Sequence, residues 1–406
     1  MKNHIGFLIR QARLKQNVSQ DGLCKGICAP SYLSKIEQGQ TKASTDIIDG
    51  LFSALGIIYL RDNKLITEAQ EQIERLFFFW EAEEPFEAEI NYVLQYAKQL
   101  ENSELHLDYH LCLLISHVSS HEKEQAIAEQ NYLSQFLLYM DDKQLVRYYL
   151  GSAAISGYSE DAIELLTKAA HHGDNSIVYY QMATALYHIG RYSDCIQRAE
   201  TAYMFASEEG NPSVMIGSSF LLGSCYCNGR DLMIATKFYK RAIALTRGYR
   251  ASVKDYAYYN LGTAYLKYGK YDEAKRYLLN VDMLDEQPYH NCLLNQKKSI
   301  LFTQISDFEK SKYYLNCAKE NLNLIERETV KYNLCKEMIE FVALLMHSDH
   351  LESSIYIEIL ENLYNNVDKV FGFGFRKFYS TFLIRYYKYH RRYKDALRVS
   401  EEMNLS

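Results

Sequence analysis

Proline is scarce in this 406-residue chain, with four in all. Proline breaks helix interiors, and almost nowhere do apolar and polar residues alternate as they do in a strand, so the chain reads as all-α. No run of about 18 apolar residues occurs, which removes a membrane-spanning helix. No apolar stretch follows the opening MKNH, so no secretory leader is expected. The nine cysteines are odd in number and scattered through helical patterns. They read as small buried residues in a reducing cytoplasm rather than as a disulfide set. Cys24 with Cys28, and Cys225 with Cys227, resemble half-sites for zinc, but no second pair or spaced histidines completes one, so no metal or cofactor is expected. Catalytic signatures are missing too: no Gly-rich phosphate loop, no GxSxG, no HExxH and no Cys/His pair in a recognisable setting. His171 and His172 read as capping a helix end. The chain is not expected to be an enzyme.

Charge is unevenly placed. Residues 1–60 hold seven Lys/Arg against four Asp/Glu, and the remainder carries −9 of the net −6. A mildly basic head on an acidic body fits nucleic acid at one end and another partner elsewhere. The head centres on SQDGLCKGICAPSYLSKIEQG, residues 19–39. Ser19 caps a short helix with Leu23 as its apolar contact, Gly26 and Cys28 mark a turn, and Pro30 suits a first helical position. Leu33 and Ile36 face inward together. Ser31, Tyr32, Ser34, Lys35 and Gln38 face outward, and Gly39 stops the helix. Two short helices joined by a tight turn make a helix-turn-helix, whose second helix reads the major groove. Ile5, Leu8, Ile9, Ala12 and Leu14 give an amphipathic helix before it. Ile47, Ile48, Leu51, Phe52 and Leu55 give another after it, within a five-helix domain of about sixty residues.

Beyond Gly56 a linker helix is expected over 61–84, ended by Pro85, with Phe77 to Trp80 sealing the first repeat or a partner subunit. No Gly/Ser-rich tether occurs, so the head is expected to be mounted through ordered structure. Residues 85–406 are repetitive. YYNLGTAYLKYGKYDEAKRYLLNV (258–281), SFLLGSCYCNGRDLMIATKFYKRAIAL (219–245) and YYQMATALYHIGRYSDCIQRAETAY (179–203) align on Ala183, Gly223 and Gly262, spaced by 40 and 39. Small residues there let paired helices approach closely. Weaker copies pair Ser299 with Ser311 and Ile384 with Ala396, and others lie before Leu166 and near Phe341.

From Ile5 to Ile57, the stretch running from IGFLIRQARLKQNVSQ through SYLSKIEQG to ALGI closely resembles the Cro/phage-repressor-like (XRE) family. The repeats resemble the tetratricopeptide repeat, which implies a right-handed superhelix with a concave face suited to a peptide. The combination is similar to the RRNPP group of peptide-sensing regulators in Gram-positive bacteria. Its most specific piece, ICAPSYLSKIEQGQTKASTDIIDGL, looks like the PlcR-type head.

This resemblance implies a cytoplasmic, homodimeric transcription regulator that binds a palindromic operator and is controlled by a short peptide in quorum sensing. Expected DNA contacts are Ser31, Tyr32, Ser34 and Lys35 in the groove, Gln20 near a phosphate, and Thr41 and Lys42 on the backbone. In that group asparagines clamp the peptide backbone. The corresponding positions here are Gln181, Thr184 and His188; Ser224 and Asn228; Tyr259, Asn260, Thr263 and Lys267; and Gln296, Lys297 and Gln304. Tyr187 and Tyr259 would pack against apolar side chains of the peptide, and Lys267 and Lys297 could meet a carboxylate. Arg13 and Glu37 match a pair that XRE domains use internally. Surface for a dimer is expected from Phe77–Trp80 and from Phe371 to Tyr393. Two other readings remain open at this point: a Rap-like scaffold acting on a response regulator, and an XRE repressor without a ligand.

Overall fold

The computed structural model describes residues 4–229, 231–246, 252–371 and 374–405. Residues 372–373, part of the segment read as a dimer surface, and residues 1–3 of the opening MKNH lie outside these. The described residues form helices and no strand. Among them, no helix is long and apolar enough to cross a membrane, and no group of three or more His, Cys, Asp or Glu could hold a metal.

The head comprises α1 (His4–Lys15), α2 (Gln20–Cys24), α3 (Pro30–Glu37) and α4 (Thr45–Ala54). Local chemistry sets its boundaries. Ser19 Oγ accepts from the Gly22 N–H at the start of α2, and Pro30 opens α3 at a position that needs no N–H. Leu33 and Ile36 are buried as their spacing demands. Two expectations fail here. Leu14 is 53% exposed, since it follows the buried Arg13 and turns off the apolar stripe. The fifth helix falls at α5 (Asn63–Glu81), beyond the sixty residues expected.

α5 buries Ile66, Ala69, Ile73, Leu76 and Phe77 along one stripe of three- and four-residue spacings, and Phe78, which falls off that stripe, is exposed. The chain continues through α6 (Glu87–Gln95) and α7 (Ala97–Glu101) into helix pairs: α8 (His106–Ser119) with α9 (Lys123–Ser134), and α10 (Asp142–Ser156) with α11 (Glu160–Ala170). Then follow α12 (Ser176–His188) and α13 (Tyr192–Glu209), α14 (Pro212–Asn228) and α15 (Leu232–Thr246), and α16 (Ser252–Lys267) and α17 (Tyr271–Leu278). The last pairs are α18 (Pro288–Gln304) with α19 (Phe308–Leu322), α20 (Val330–Leu345) with α21 (Ser354–Phe371), and α22 (Phe375–Tyr389) with α23 (Tyr393–Leu405).

The chain divides into two compact units, Met1–Met182 and Ala183–Ser406. In the first, the head shares one apolar core with α5 to α10. Phe7 of α1 meets Phe136 edge-on at 4.8 Å, Gln11 donates to Gln135, and the Leu60 N–H donates to the Asn102 carbonyl at 2.8 Å. The head therefore rests on ordered structure rather than on a free tether.

The second unit shows why the repeats need small residues. A β-carbon on Gly223 would stand 2.7 Å from the Tyr239 ring, and one on Gly262 2.6 Å from Leu278. The small residues of the second helices, Cys195, Ala235 and Ala274, are fully buried. In the degenerate pair α18–α19 hydroxyls take over, with Ser299 Oγ donating to the Ser311 carbonyl at 2.8 Å. The aromatic segment read as exposed is largely core: Phe378, Tyr379, Tyr386 and Tyr387 are buried, and only the end of α22 and start of α23 show Tyr389 and Tyr393. Composition alone does not say which side of α22 these rings occupy.

Candidate functional site

The positions expected to meet DNA lie in the head, and those that meet in a cavity lie in the second unit. In the head, α1 and α3 touch backbone to backbone, since a β-carbon on Gly6 would lie 1.9 Å from the Ile36 carbonyl oxygen. Across this contact the Arg13 guanidinium grips Glu37 with two bonds, Nε to Oε1 at 2.7 Å and Nη2 to Oε2 at 2.9 Å. Arg13 also donates to the Val18 carbonyl at 2.8 Å. Both side chains are buried, and the bond to Glu37 raises the arginine pKa further.

Glu37 also accepts from Gln20 Nε2 at 2.8 Å. One end of Gln20 is thus engaged inside the head rather than pointed at a phosphate. On the outer side of α3, Ser31 and Lys35 are exposed and Tyr32 and Ser34 half-exposed; Gln38 donates to the Ser34 hydroxyl. Thr41 is half-buried and Lys42 exposed in the loop that follows. A rigid α2–turn–α3 block with a polar, basic-tipped outer face can enter a major groove. Away from the head, His172 Nδ1 lies 3.0 Å from Asp142 Oδ1, so this histidine meets a carboxylate rather than the carbonyls of its own helix end.

In the second unit a cavity of about 100 Å³ opens between the first helices of successive pairs. Ser224, Cys227 and Asn228 come from α14, and Tyr259, Asn260, Thr263, Ala264 and Lys267 from α16. Spacings of three and four bring each set onto one helix face. Tyr187 and Lys297 join from α12 and α18, Tyr239 from α15, and Gly374, Phe375 and Phe378 from the start of α22.

Tyr239 is fully buried and anchors two lining residues: its hydroxyl lies 2.9 Å from Ser224 Oγ and accepts from Asn260 Nδ2 at 3.1 Å. Asn228 Nδ2 reaches Tyr187 Oη at 3.5 Å, the outer limit of a hydrogen bond. Each amide carbonyl oxygen is left to accept from a ligand. The Tyr259 and Thr263 hydroxyls are neighbours on the wall, but neither has a hydrogen bond of good geometry, and both oxygens are buried. Lys297 is buried completely. Its Nζ donates to Gln296 Oε1 at 2.7 Å and lies 4.3 Å from the centre of the Phe378 ring. Burial pulls its pKa down to about 7. Burial likewise holds the Tyr239 and Tyr259 phenols protonated, far above the ordinary tyrosine value.

Of the positions expected to face a ligand, Ser224, Asn228, Tyr259, Asn260, Thr263, Lys267, Lys297 and Tyr187 meet in this one cavity. Thr184, His188, Gln296 and Gln304 do not line it. Gln296 sits behind Lys297, donating to Tyr379 Oη, and Gln304 accepts from Tyr271. Gln181 belongs to the first unit. Sequence reasoning missed Tyr239, which sits on a second helix, and the Gly374–Phe378 segment, more than a hundred residues from Asn260 and in no repeat phase with it. Gly374 has a left-handed backbone (φ 114°), and a β-carbon there would press to 3.0 Å from Asn228 Oδ1. A glycine answers both demands.

Residues 9–61 match the helix-turn-helix family. No curated protein matches the chain. Among solved structures, the apo form of the quorum sensor NprR from B. thuringiensis is 16% identical, with a TM-score of 0.64 over 84% of this chain and 98% of that one. NprR in complex with its cognate peptide NprX gives 0.55 at 16% identity, covering 83% and 99%. Bacillus thuringiensis PlcR in complex with the peptide PapR7 and DNA gives 0.37 at 21% identity, covering 60% and 95%. The chain thus joins a helix-turn-helix head to a helical-repeat body with an NprR-like fold, and these likenesses do not separate a PlcR-like chain from an NprR-like one.

Proposed function

We propose that this chain, with the fold of a quorum sensor, is a transcription regulator whose DNA binding is set by a short peptide held in the cavity of its second unit. The observation that carries this reading is the cavity wall. Two asparagine amides from successive repeats, Asn228 and Asn260, share one opening with the buried Tyr259 and Thr263 hydroxyls, which have no hydrogen bond of good geometry. A peptide entering there must have its backbone N–H and C=O groups satisfied once water leaves, and an amide can both donate and accept. NprR, which shares the fold, has been solved with its cognate peptide. The head supports the DNA half of the reading through the exposed Ser31 and Lys35 on a helix locked in place from behind.

One head covers one half-site, so a homodimer on a palindromic operator in the cytoplasm completes the reading. Phe78 and Leu138 of the first unit are exposed and offer apolar surface for such pairing. Light scattering of the full chain checks it: a dimer at micromolar concentration is expected, and a monomer with and without DNA contradicts it.

Short reading frames beside the gene supply candidate peptides for calorimetry. Binding by one of them is expected, weakened about 5- to 150-fold by Asn260→Ala, which is the ~1–3 kcal/mol cost of stranding a buried polar partner. Heat-silent titrations with every candidate would sink the reading.

A further inference from the structure

The cavity is lined by basic side chains, Lys267 and Lys297, and not by acidic ones among the described residues, although the whole chain is acidic. Lys297 lies entirely out of solvent, yet among the described residues no carboxylate stands within ion-pair distance of it. A buried ammonium is costly unless an anion meets it. Its Nζ can donate three hydrogen bonds, and the described residues supply a single acceptor, Gln296 Oε1 at 2.7 Å. The Phe378 ring at 4.3 Å and the Tyr379 ring at 5.2 Å offset part of the charge, but a ring face does not accept as an oxygen does.

Lining the same cavity, Tyr259 Oη and Thr263 Oγ1 are buried without a hydrogen bond of good geometry. Burial raises the phenol's pKa, so Tyr259 keeps its proton to donate. A buried amine with no carboxylate and two hydroxyls without a well-formed bond describe the complement of one ligand group.

We propose that this part of the cavity binds a carboxylate of the ligand, with Lys297 Nζ as the charged donor and the Tyr259 and Thr263 hydroxyls as neutral ones. This rests on the reading of the cavity as a peptide site and adds the charge the peptide must bring. A peptide can supply that carboxylate from its free C-terminus or from an Asp or Glu side chain. The chemistry at Lys297 is the same in both cases. In the empty cavity the low local polarity holds Lys297 near half protonation at neutral pH, and an incoming carboxylate restores the full charge. The groups facing Lys297 in this setting are Cys292 on its own helix, Cys335 on α20, Tyr379 on α22, and Tyr259 and Lys267 on α16. None of them is a carboxylate that could take the ligand's place.

Three pools of random hexapeptides separate the sources: one without Asp or Glu and amidated at the C-terminus, one without Asp or Glu but with a free C-terminus, and one containing Asp and Glu but amidated. Each is mixed with the full chain, passed through a sizing column, and the retained peptide is weighed by mass spectrometry. Retention of the second or third pool is expected to exceed that of the first at least tenfold, and the pool retained names the source. Lys297→Met should bring that pool down to the level of the first while the thermal midpoint holds or rises. Tyr259→Phe should weaken retention several-fold in a chain that melts normally, which keeps the test decisive should Lys297→Met fail to fold. Equal retention of all three pools overturns the carboxylate site and leaves the peptide reading standing. An unchanged preference in Lys297→Met or in Tyr259→Phe also overturns it. Retention of no pool removes the peptide reading, and this inference with it.

Discussion

Gly6 of α1 and Ile36 of α3 approach so closely that a β-carbon on the first would stand 1.9 Å from the carbonyl oxygen of the second. The outward face of α3 is aimed by this contact. Gly6→Ala cannot be relieved by a rotamer change, because the obstacle is backbone, so α1 must lift from α3. Loss of specific DNA binding is expected, with a fall in thermal stability of ~1–3 kcal/mol, the usual cost of overpacking a well-packed core. Melting curves and gel shifts with an operator selected in vitro check both. Unaltered binding would show that the contact does not set the helix.

Arg13 and Glu37 hold the same interface by charge. Removing Arg13 strands a buried carboxylate, and Arg13→Ala should cost ~3–5 kcal/mol, whereas an exposed pair would lose at most ~1 kcal/mol. Gln20 cannot compensate, since it brings no charge. Amide exchange in α1 and α3 of the full chain reads the effect where it arises. Protection equal to wild type would contradict the buried-pair account.

Lys35 is exposed on α3 and is expected to reach a base edge. Lys35→Ala should weaken specific binding by ~1–3 kcal/mol while leaving non-specific binding within a few-fold. A uniform loss on all sequences would reassign Lys35 to the phosphates.

Lys297 carries a pH signature. Its folded-state pKa of about 7 lies below the ordinary lysine value. Between the two, the unfolded chain binds the extra proton, so stability rises with pH across that window and the penalty is full below it. At about 1.4 kcal/mol per pKa unit, the whole shift amounts to ~4–5 kcal/mol at most. Lys297→Met removes this slope. Denaturant unfolding of wild type and variant should therefore diverge as pH falls from about 10 to 7, with the variant the more stable near neutrality; parallel profiles would refute a low lysine pKa.

Where signals are local, the sequence displays them. Ser19, Gly26, Pro30, Leu33 and Ile36 define the head within a few residues of one another. Gly223 and Gly262 betray the repeat because a close helix crossing tolerates nothing larger. Asn228 and Asn260 can be phased from those glycines. What sequence does not display depends on distant packing. Leu14 looks like core until Arg13 occupies the inward position. The rings of α22 look like free surface until they fill the second unit's core. Gly374 to Phe378 reach the cavity only because α22 packs back against α16, and no periodicity announces that contact.

The central claim, that a peptide in the second unit governs DNA binding by the head, is tested most directly by fluorescence anisotropy of a labelled, in vitro selected operator duplex. The full chain is titrated with and without a saturating peptide that calorimetry has shown to bind. The account predicts at least a tenfold change in apparent DNA affinity for wild type and little change for Asn260→Ala at the same peptide concentration. Identical DNA affinity for wild type with and without bound peptide would contradict it.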